Sequence, residues 1–275
     1  MASETAPTDY RVQPGWGAAI FAVVAYLVIV VGTWKLSGVA YDEFFDTAGK
    51  AFKSAVLSLV LGSIFLVAFL AYARWDWIWR DARRLSMGPF LWVLPILMVV
   101  GLLTRFAGMD WAEIDGGVIA AIFCAGVLVG FAEETLFRGI FLRAMRVGGR
   151  DEAAAAVLTT VAFGLFHLPN ILVGGGPGTF AQVAIAALSG FGLYLTRRGF
   201  GWIVPAMLLH GFWDMSTFAA ADHAKDGNIF AGISQGLFFF NLAVAIAAIV
   251  VVWRRDRSTR WQEEGPAIVP AAPLA

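Results

Sequence analysis

The chain has 275 residues, of which 59% are hydrophobic and only 15% are charged, and its formal net charge is zero. A mean hydropathy of +0.74 excludes an ordinary soluble domain and predicts an all-α, polytopic membrane helical bundle. Its single cysteine, Cys124, excludes an internal disulfide and lies in an apolar run that favours a packing role.

Apolar segments that can cross a hydrocarbon core about 30 Å thick recur along the whole chain. In chain order the eight predicted spans are residues 16–34, 55–73, 90–104, 118–142, 153–172, 180–195, 202–220 and 233–253. The third and sixth are short, so seven spans are an alternative. We predict one membrane domain over residues 1–275, with polar tails at 1–14 and 254–275.

Lysine and arginine are distributed unevenly between the two sides that eight alternating spans define. Fourteen of the 20 basic residues fall on the side of the two termini, five on the other side, and Arg138 falls inside a span. Short, positively charged loops stay in the cytoplasm, so both termini are predicted to be cytoplasmic. Arginines 254–260 then suit contact with anionic membrane lipids, and nucleic-acid binding is not expected. The alanine-rich composition without a targeting signal favours a bacterial plasma membrane.

A small set of ionisable residues interrupts the predicted spans. Inside hydrocarbon such residues are costly unless they are paired or face a wet cavity, so they indicate a functional site. The rise of an α-helix places them at overlapping depths, which predicts a polar cavity near the middle of the membrane and a catalytic core at 118–220. The set consists of Glu133, Glu134, Arg138, His167, His210 and Asp214.

Helical spacing suggests how these residues divide their roles. Glu134 and Arg138 are four residues apart and share a face, whereas the Glu133 side chain diverges by about 100°. We expect Arg138 to neutralise Glu134 and leave Glu133 for chemistry, although Glu134 and Arg138 can also be a purely structural pair. His210 and Asp214, also four apart, can converge on one ligand, or the carboxylate can orient an imidazole of a neighbouring helix.

The charges of this set do not balance, because with neutral histidines it holds three negative groups and one positive group. A divalent cation, best zinc, bound by two histidines and a carboxylate with one position left open for water is one solution. Protonation of a carboxyl and an imidazole is the other. In both cases Glu133 takes a proton from a water that attacks a carbonyl, and a histidine or a metal stabilises the oxyanion. The candidate metal ligands are Glu133, His167, His210 and Asp214.

Three short motifs resemble those of a known family. EETLFRG at 133–139, FGLFH at 163–167 and HGFWD at 210–214 resemble the EExxxR, FxxxH and HxxxN/D motifs of the CPBP (Abi) intramembrane metalloproteases, which include CAAX prenyl endopeptidases. The resemblance implies that Glu133 is the general base, helped by His167, and that Glu134 and Arg138 support it. It implies that His210 and Asp214 are oxyanion or metal partners. In the family Asn is frequent where this chain has Asp214, and an ionised Asp cannot donate a hydrogen bond.

These observations predict an intramembrane endopeptidase that acts on CAAX-type prenylated or other membrane-associated peptides. Its partners would be a peptide or lipidated protein substrate and membrane lipids, with the substrate arriving laterally or from the cytoplasm. An ion- or proton-coupled transporter is the alternative, because acid and histidine chains also mark ion pathways. No inverted repeat is visible in the sequence, which argues against a transporter. A scaffold that keeps the fold without the reaction is a third possibility.

Overall fold

The computed structural model describes residues 10–81, 83–225 and 227–261. In these ranges the chain forms a bundle of eight long helices, so the predicted all-α architecture is confirmed. The predicted tails fall partly outside the described residues. The helices are α1 Trp16–Ser37, α2 Ala48–Ala73, α3 Gly88–Ala107, α4 Gly116–Val147, α5 Glu152–Leu165, α6 Gly178–Phe200, α7 Val204–His223 and α8 Ile229–Asp256.

Seven of these helices are long and apolar enough to cross a membrane, α5 only together with the 3₁₀ segment that extends it to Val173, and α7 is the exception. The α7 helix has 20 residues, but His210 and Asp214 lower its hydropathy below that of a typical span. It packs against α3, α4 and α6, so its polar residues are enclosed by other helices. Seven helices therefore qualify as spans by length and composition, and α7, whose 20 residues extend about 30 Å, is long enough to cross inside the bundle as the eighth.

Two aspartates define where the helices that carry the site begin. The Asp115 carboxylate accepts hydrogen bonds from the backbone N–H groups of Gly117 and Val118 at the start of α4. The Asp151 carboxylate accepts one from Ala154 at the start of α5. Each side chain satisfies N–H groups that a helix start leaves without partners, and so fixes the first turn.

The α4 helix changes its hydrogen-bond pattern immediately after Glu134. Residues Thr135–Phe141 form a π-helical segment before α-helical geometry resumes at Leu142. Single π-helical turns inside α-helices occur frequently at functional sites. The prediction that Glu134 and Arg138 share a face assumes a regular α-helix. The π-helical segment between and beyond them does not follow from that spacing.

Glycines allow α4 and α7 to approach each other unusually closely. A Cβ atom at Gly130 would lie 2.3 Å from the Met207 carbonyl oxygen, and one at Gly211 would lie 2.7 Å from the Gly126 carbonyl oxygen. Separations this short leave no room for a side chain at either position. Small residues such as glycine let the backbones of two membrane helices touch. This contact brings the glutamates of α4 next to His210 of α7.

The arginine-rich end of the bundle contains a buried ion-pair network. Asp81 accepts salt bridges from Arg197 at 2.7 Å, Arg146 at 3.1 Å and Arg143 at 3.2 Å. Burial raises the pKa of the Asp81 carboxyl, but the three arginines outweigh this effect and hold its pKa well below the usual range. We call this network the arginine layer, and its members are Asp81, Arg143, Arg146, Glu152, Tyr194, Arg197, Arg198 and Asp256.

The arginine layer differs from what the sequence suggested for these residues. Four of the fourteen basic residues that the sequence places in positively charged loops on the side of the termini are instead buried, each at most 3% exposed: Arg143, Arg146, Arg197 and Arg198. Further pairs extend the layer, because Glu152 accepts from Arg146 at 2.8 Å and Asp256 from Arg198 at 2.7 Å. Acidic partners from distant parts of the chain make this burial possible.

Candidate active site

A cavity of about 460 Å³ lies inside the helix bundle. This volume is within the range of roughly 300–1,000 Å³ that is typical of ligand sites, so it suits a short stretch of polypeptide. Four of the six predicted site residues line it: Glu133, His167, His210 and Asp214.

The cavity extends away from the arginine layer. On α4 its lining residues are Ala125, Val129 and Glu133, whereas the arginines of the layer come later in the same helix. The segment that joins α1 to α2 also lines it, through Tyr41. A path into the cavity from the arginine-rich end would cross the arginine layer, and the predicted entry of substrate, laterally or from the cytoplasm, stays a prediction.

Glu134 is the centre of a hydrogen-bond chain that links three helices. Its Oε1 atom accepts from Arg138 Nη1 at 2.7 Å and lies 2.9 Å from His210 Nδ1, and the Glu134 side chain is fully buried. Arg138 also donates to the backbone carbonyl of Gly190 on α6. The ion pair between Glu134 and Arg138 that the sequence predicts is present. Its bond to His210 was not expected, because those residues are 76 positions apart.

The bond to Glu134 determines how the imidazole of His210 faces the cavity. Since Nδ1 is directed at the Glu134 carboxylate, the opposite nitrogen, Nε2, lies 3.9 Å from Glu133 Oε2 and 3.7 Å from Asp214 Oδ2. Both distances exceed that of a direct hydrogen bond. Two carboxylates and one imidazole nitrogen thus meet at the cavity wall, with Glu134 as the group that orients the ring.

Glu133 has a different environment from its neighbour. It is 8% exposed, and its Oε2 atom has no hydrogen-bond partner among the described protein groups. The nearest arginine, Arg138, is engaged by Glu134 and Gly190. A buried carboxylate without a partner is energetically costly, so a group of this kind beside a cavity is a candidate for chemistry.

His167 lies at the end of α5, where a 3₁₀ turn begins. Its Nδ1 atom is 3.0 Å from the carbonyl oxygen of Phe163. A carbonyl can only accept, so Nδ1 carries the proton, and in the neutral ring Nε2 is left as an acceptor. The Phe163 ring lies between the two histidines, with centroid distances of 5.3 Å to His167 and 5.5 Å to His210.

The same phenylalanine also packs against the arginine of the site. The Arg138 guanidinium lies over the Phe163 ring at 4.4 Å from its centroid. A Cβ atom at Gly190 would lie 2.5 Å from this ring, so α6 needs a glycine there. Phe163 is 3% exposed and packs at the centre of the site, between the two histidines and the arginine.

The predicted metal site was tested by the arrangement of donor atoms. In the ranges that the structure describes, no three His, Cys, Asp or Glu side chains are arranged to hold a metal ion. Glu133, His167, His210 and Asp214 share a cavity but do not form such a cluster. Zinc binding therefore stays a prediction, and the reaction below uses protein groups alone.

Comparison with known proteins identifies the region that holds the site. Residues 115–216 match the family model described as Rce1-like, type II CAAX prenyl endopeptidase Rce1-like. No curated protein and no solved structure matches the chain. The matched region contains all six predicted site residues, and the match confirms the family resemblance that the three motifs predict. Together with seven apolar helices it indicates an integral membrane protein.

Proposed function

We propose that this chain, whose residues 115–216 match the Rce1-like model of type II CAAX prenyl endopeptidases, hydrolyses peptide bonds of membrane-associated peptides within the bilayer. The observation that carries the proposal is the Glu133 carboxylate, whose Oε2 atom lacks a hydrogen-bond partner among the described protein groups, beside the oriented imidazole of His210 in one cavity. The family match gives no support to the transporter alternative.

Glu133 is the general base of the proposed reaction. Its carboxylate takes a proton from a water molecule, whose oxygen forms a new bond to the carbonyl carbon of the substrate. The protonated Glu133 then gives this proton to the amide nitrogen as the carbon–nitrogen bond breaks. His167, whose neutral ring has an acceptor at Nε2, helps to orient the water.

His210 stabilises the negative charge that develops on the carbonyl oxygen. For this it must donate from Nε2 while Nδ1 donates to Glu134, so the ring acts as an imidazolium with Glu134 as its counter-ion. Arg138 balances the remaining negative charge, that of Glu133, and fixes the Glu134 carboxylate through the 2.7 Å hydrogen bond. A protonated Asp214, 3.7 Å from Nε2, would donate a second hydrogen bond to the same oxygen.

The test is hydrolysis of fluorogenic lipidated and unmodified peptides by the purified full chain and by Glu133→Gln. We expect the variant to lose about 100-fold or more of the rate, the lower end of what a general base contributes. Its melting temperature should be unchanged or higher, because the substitution removes an unpartnered buried charge. Glu113→Gln, in an exposed loop, is the matched control and should cleave like the unmodified chain. Equal rates for both variants would remove the proposed base.

The same assay decides whether a metal is needed. Hydrolysis that is unchanged after thorough chelation supports the reaction by protein groups alone. Loss of activity on chelation and recovery on addition of zinc would establish the metal that the sequence predicts.

The proposed orientation places both termini in the cytoplasm of a bacterial cell. Fourteen basic residues on that side against five on the other support it. In this orientation the cavity lies towards the outer half of the plasma membrane. Reporter fusions at the two termini test the orientation directly, and activity of a reporter that functions only outside the cytoplasm would contradict it.

A further inference from the structure

Helix α1 contributes a tyrosine to the cavity that holds the site. Tyr26 lines the same cavity as Glu133 and is 1% exposed. Its hydroxyl group and Glu133 Oε2 are both buried without a hydrogen-bond partner among the described protein groups. In the ranges that the structure describes, no other residue of the cavity wall has such an atom. Leaving a buried polar atom unpaired costs free energy, so these two atoms mark where a small polar ligand would be stabilised.

Tyr26 lies at about the depth of Glu133. At the arginine-rich end, the Trp16 ring of α1 packs on the Phe141 ring of α4 with their centroids 5.9 Å apart. Away from that end, Tyr26 is ten residues beyond Trp16, and Glu133 is eight residues from Phe141. With a rise of about 1.5 Å per residue these separations are about 15 Å and about 12 Å, so the two side chains begin at similar depths. The Glu133 carboxylate also acts electrostatically on the Tyr26 hydroxyl.

Neighbouring helices hold the ring of Tyr26 in place. A Cβ atom at Gly62 of α2 would lie 2.5 Å from this ring, so only a glycine there leaves room for it. The Tyr26 and Phe166 rings are in contact, with centroids 5.9 Å apart. Phe166 directly precedes His167, which orients the water in the proposed reaction. The Tyr26 ring is therefore fixed beside the segment that carries His167.

The other tyrosine on the cavity wall is already engaged. Tyr41 Oη accepts hydrogen bonds from Asn170 at 3.2 Å and from Gln182 at 3.3 Å, and Asn170 also donates to Gln182 at 2.9 Å. These bonds satisfy the Tyr41 oxygen within a group of neutral side chains. Tyr26 differs because its hydroxyl is buried beside the cavity with both its donor and its acceptor capacity unused by the described protein groups.

We propose that the Tyr26 hydroxyl positions the attacking water, which it holds jointly with Glu133. This inference rests on the proposed peptidase function and adds to it a residue outside the region 115–216 that matches the family model. The water donates its two hydrogen bonds to Glu133 Oε2 and to the acceptor Nε2 of His167, and the phenol O–H donates to one lone pair of the water oxygen. The second lone pair is left to attack the carbonyl carbon, and Glu133 takes the proton as in the reaction above.

The first test is hydrolysis of the fluorogenic peptides by the full chain and by Tyr26→Phe, which removes the hydroxyl and keeps the ring. We expect kcat to fall about ten-fold and KM to change less than about two-fold, because the phenol holds the water and not the peptide. The melting temperature should be unchanged or higher, because the variant removes a buried hydroxyl without a protein partner. An unchanged kcat, or a change confined to KM, would overturn the proposal.

Tyr194→Phe is the matched control, because it removes a buried phenol hydroxyl that has partners. Tyr194 donates to Glu152 at 2.6 Å and accepts from Arg198 at 3.0 Å within the arginine layer. This variant should melt at a lower temperature and keep its kcat, which is the reverse of the result expected for Tyr26→Phe. A fall of the melting temperature in Tyr26→Phe as large as in Tyr194→Phe would indicate a structural hydroxyl and contradict the positioning role.

A crystal structure of the full chain that shows ordered water separates this proposal from the proposed function. We expect one water within hydrogen-bond distance of both Tyr26 Oη and Glu133 Oε2, and its loss in Tyr26→Phe. That result in a chain that cleaves no peptide would support the water site and refute only the peptidase function. A cavity without this water in the unmodified chain, or the same water retained in Tyr26→Phe, would refute the role of Tyr26 even where cleavage is established.

Discussion

The arginine layer and the active site are both buried groups of charges, but they differ in how the charges are paired. In the layer the Asp81 carboxylate meets three arginines, one of which also meets Glu152, and Asp256 meets a fourth. In the active site Arg138 serves Glu134, whereas Glu133 Oε2 has no hydrogen-bond partner among the described protein groups and lies 3.9 Å from His210 Nε2. Moving a charge from water into the protein costs free energy in both regions, and pairing with an opposite charge offsets that cost.

The difference shows which buried charges hold the bundle together and which are available for reaction. The layer joins the segment after α2 to α4, α5, α6 and α8 through closely spaced ion pairs. The site leaves a carboxylate exposed to a cavity, where a water molecule can approach it. Substitutions in the two regions should therefore change different measured quantities: stability in the layer and rate in the site.

The largest change is expected from Asp81→Asn, which leaves three buried arginines without their carboxylate. Breaking a buried ion pair by removing one partner costs about 3–5 kcal/mol, so the melting temperature in detergent should fall steeply. The pKa of Asp81 is held well below its usual range, so its stabilisation is complete above the unfolded pKa of about 3.9. The difference between variant and unmodified chain should be constant from pH 8 to 5 and shrink below about pH 4. A difference that already shrinks near neutral pH would contradict this account.

Glu134→Gln should change both measured quantities, because Glu134 belongs to an ion pair and also orients the catalytic imidazole. Hydrogen bonds to charged groups contribute about 1.5–3 kcal/mol, so cleavage should fall by roughly 10- to 100-fold and the melting temperature should also fall. Glu133→Gln, measured beside it, should lose activity without losing stability. A Glu134→Gln protein with full activity would mean that the bond to His210 is not needed.

Gly130→Ala tests the close contact of α4 with α7. The added methyl group would meet the Met207 carbonyl, and overpacking of this kind costs about 1–3 kcal/mol. The helices must separate, so cleavage should decrease as the glutamates move away from His210. Gly232→Ala in α8, where a Cβ atom has open space, is the control and should leave both the rate and the melting temperature unchanged.

Cysteine labelling compares access to the two regions with little disturbance of either. In a Cys124→Ser background, Ala186→Cys places a thiol on the cavity wall and Ala144→Cys places one at a buried site near the layer. A membrane-impermeant thiol reagent added to intact cells should modify position 186 and not position 144. Modification of position 186 only from the cytoplasmic face would show that the arginine layer does not block that route.

Much of the architecture follows from hydrophobic runs and local spacing. The predicted span 118–142 lies within the observed helix Gly116–Val147, and the pair of Glu134 and Arg138 follows from residues four apart. The bond from Glu134 to His210 does not follow in this way, because it depends on how α4 packs against α7. Only the adjacent glycines of those helices hint at such a close approach.

The arginine layer was missed for a related reason. Arginines at the end of an apolar segment normally mark a membrane surface, and nothing local in the sequence shows that Asp81 lies against Arg143 and Arg197. Pairing across more than 60 residues is a tertiary property. The roles of the six site residues and the binding of zinc stay predictions, since they require measurements of activity.

Helix α6 takes part in the proposed reaction without supplying a reactive side chain. Its contribution is the peptide oxygen of Gly190, which receives the Arg138 guanidinium because no Cβ atom stands in the way. Alanine scanning, which reads side chains by removing them, cannot reveal such a contribution at a glycine. At this position the informative change adds atoms, and Gly190→Ala should displace the cation that holds Glu134.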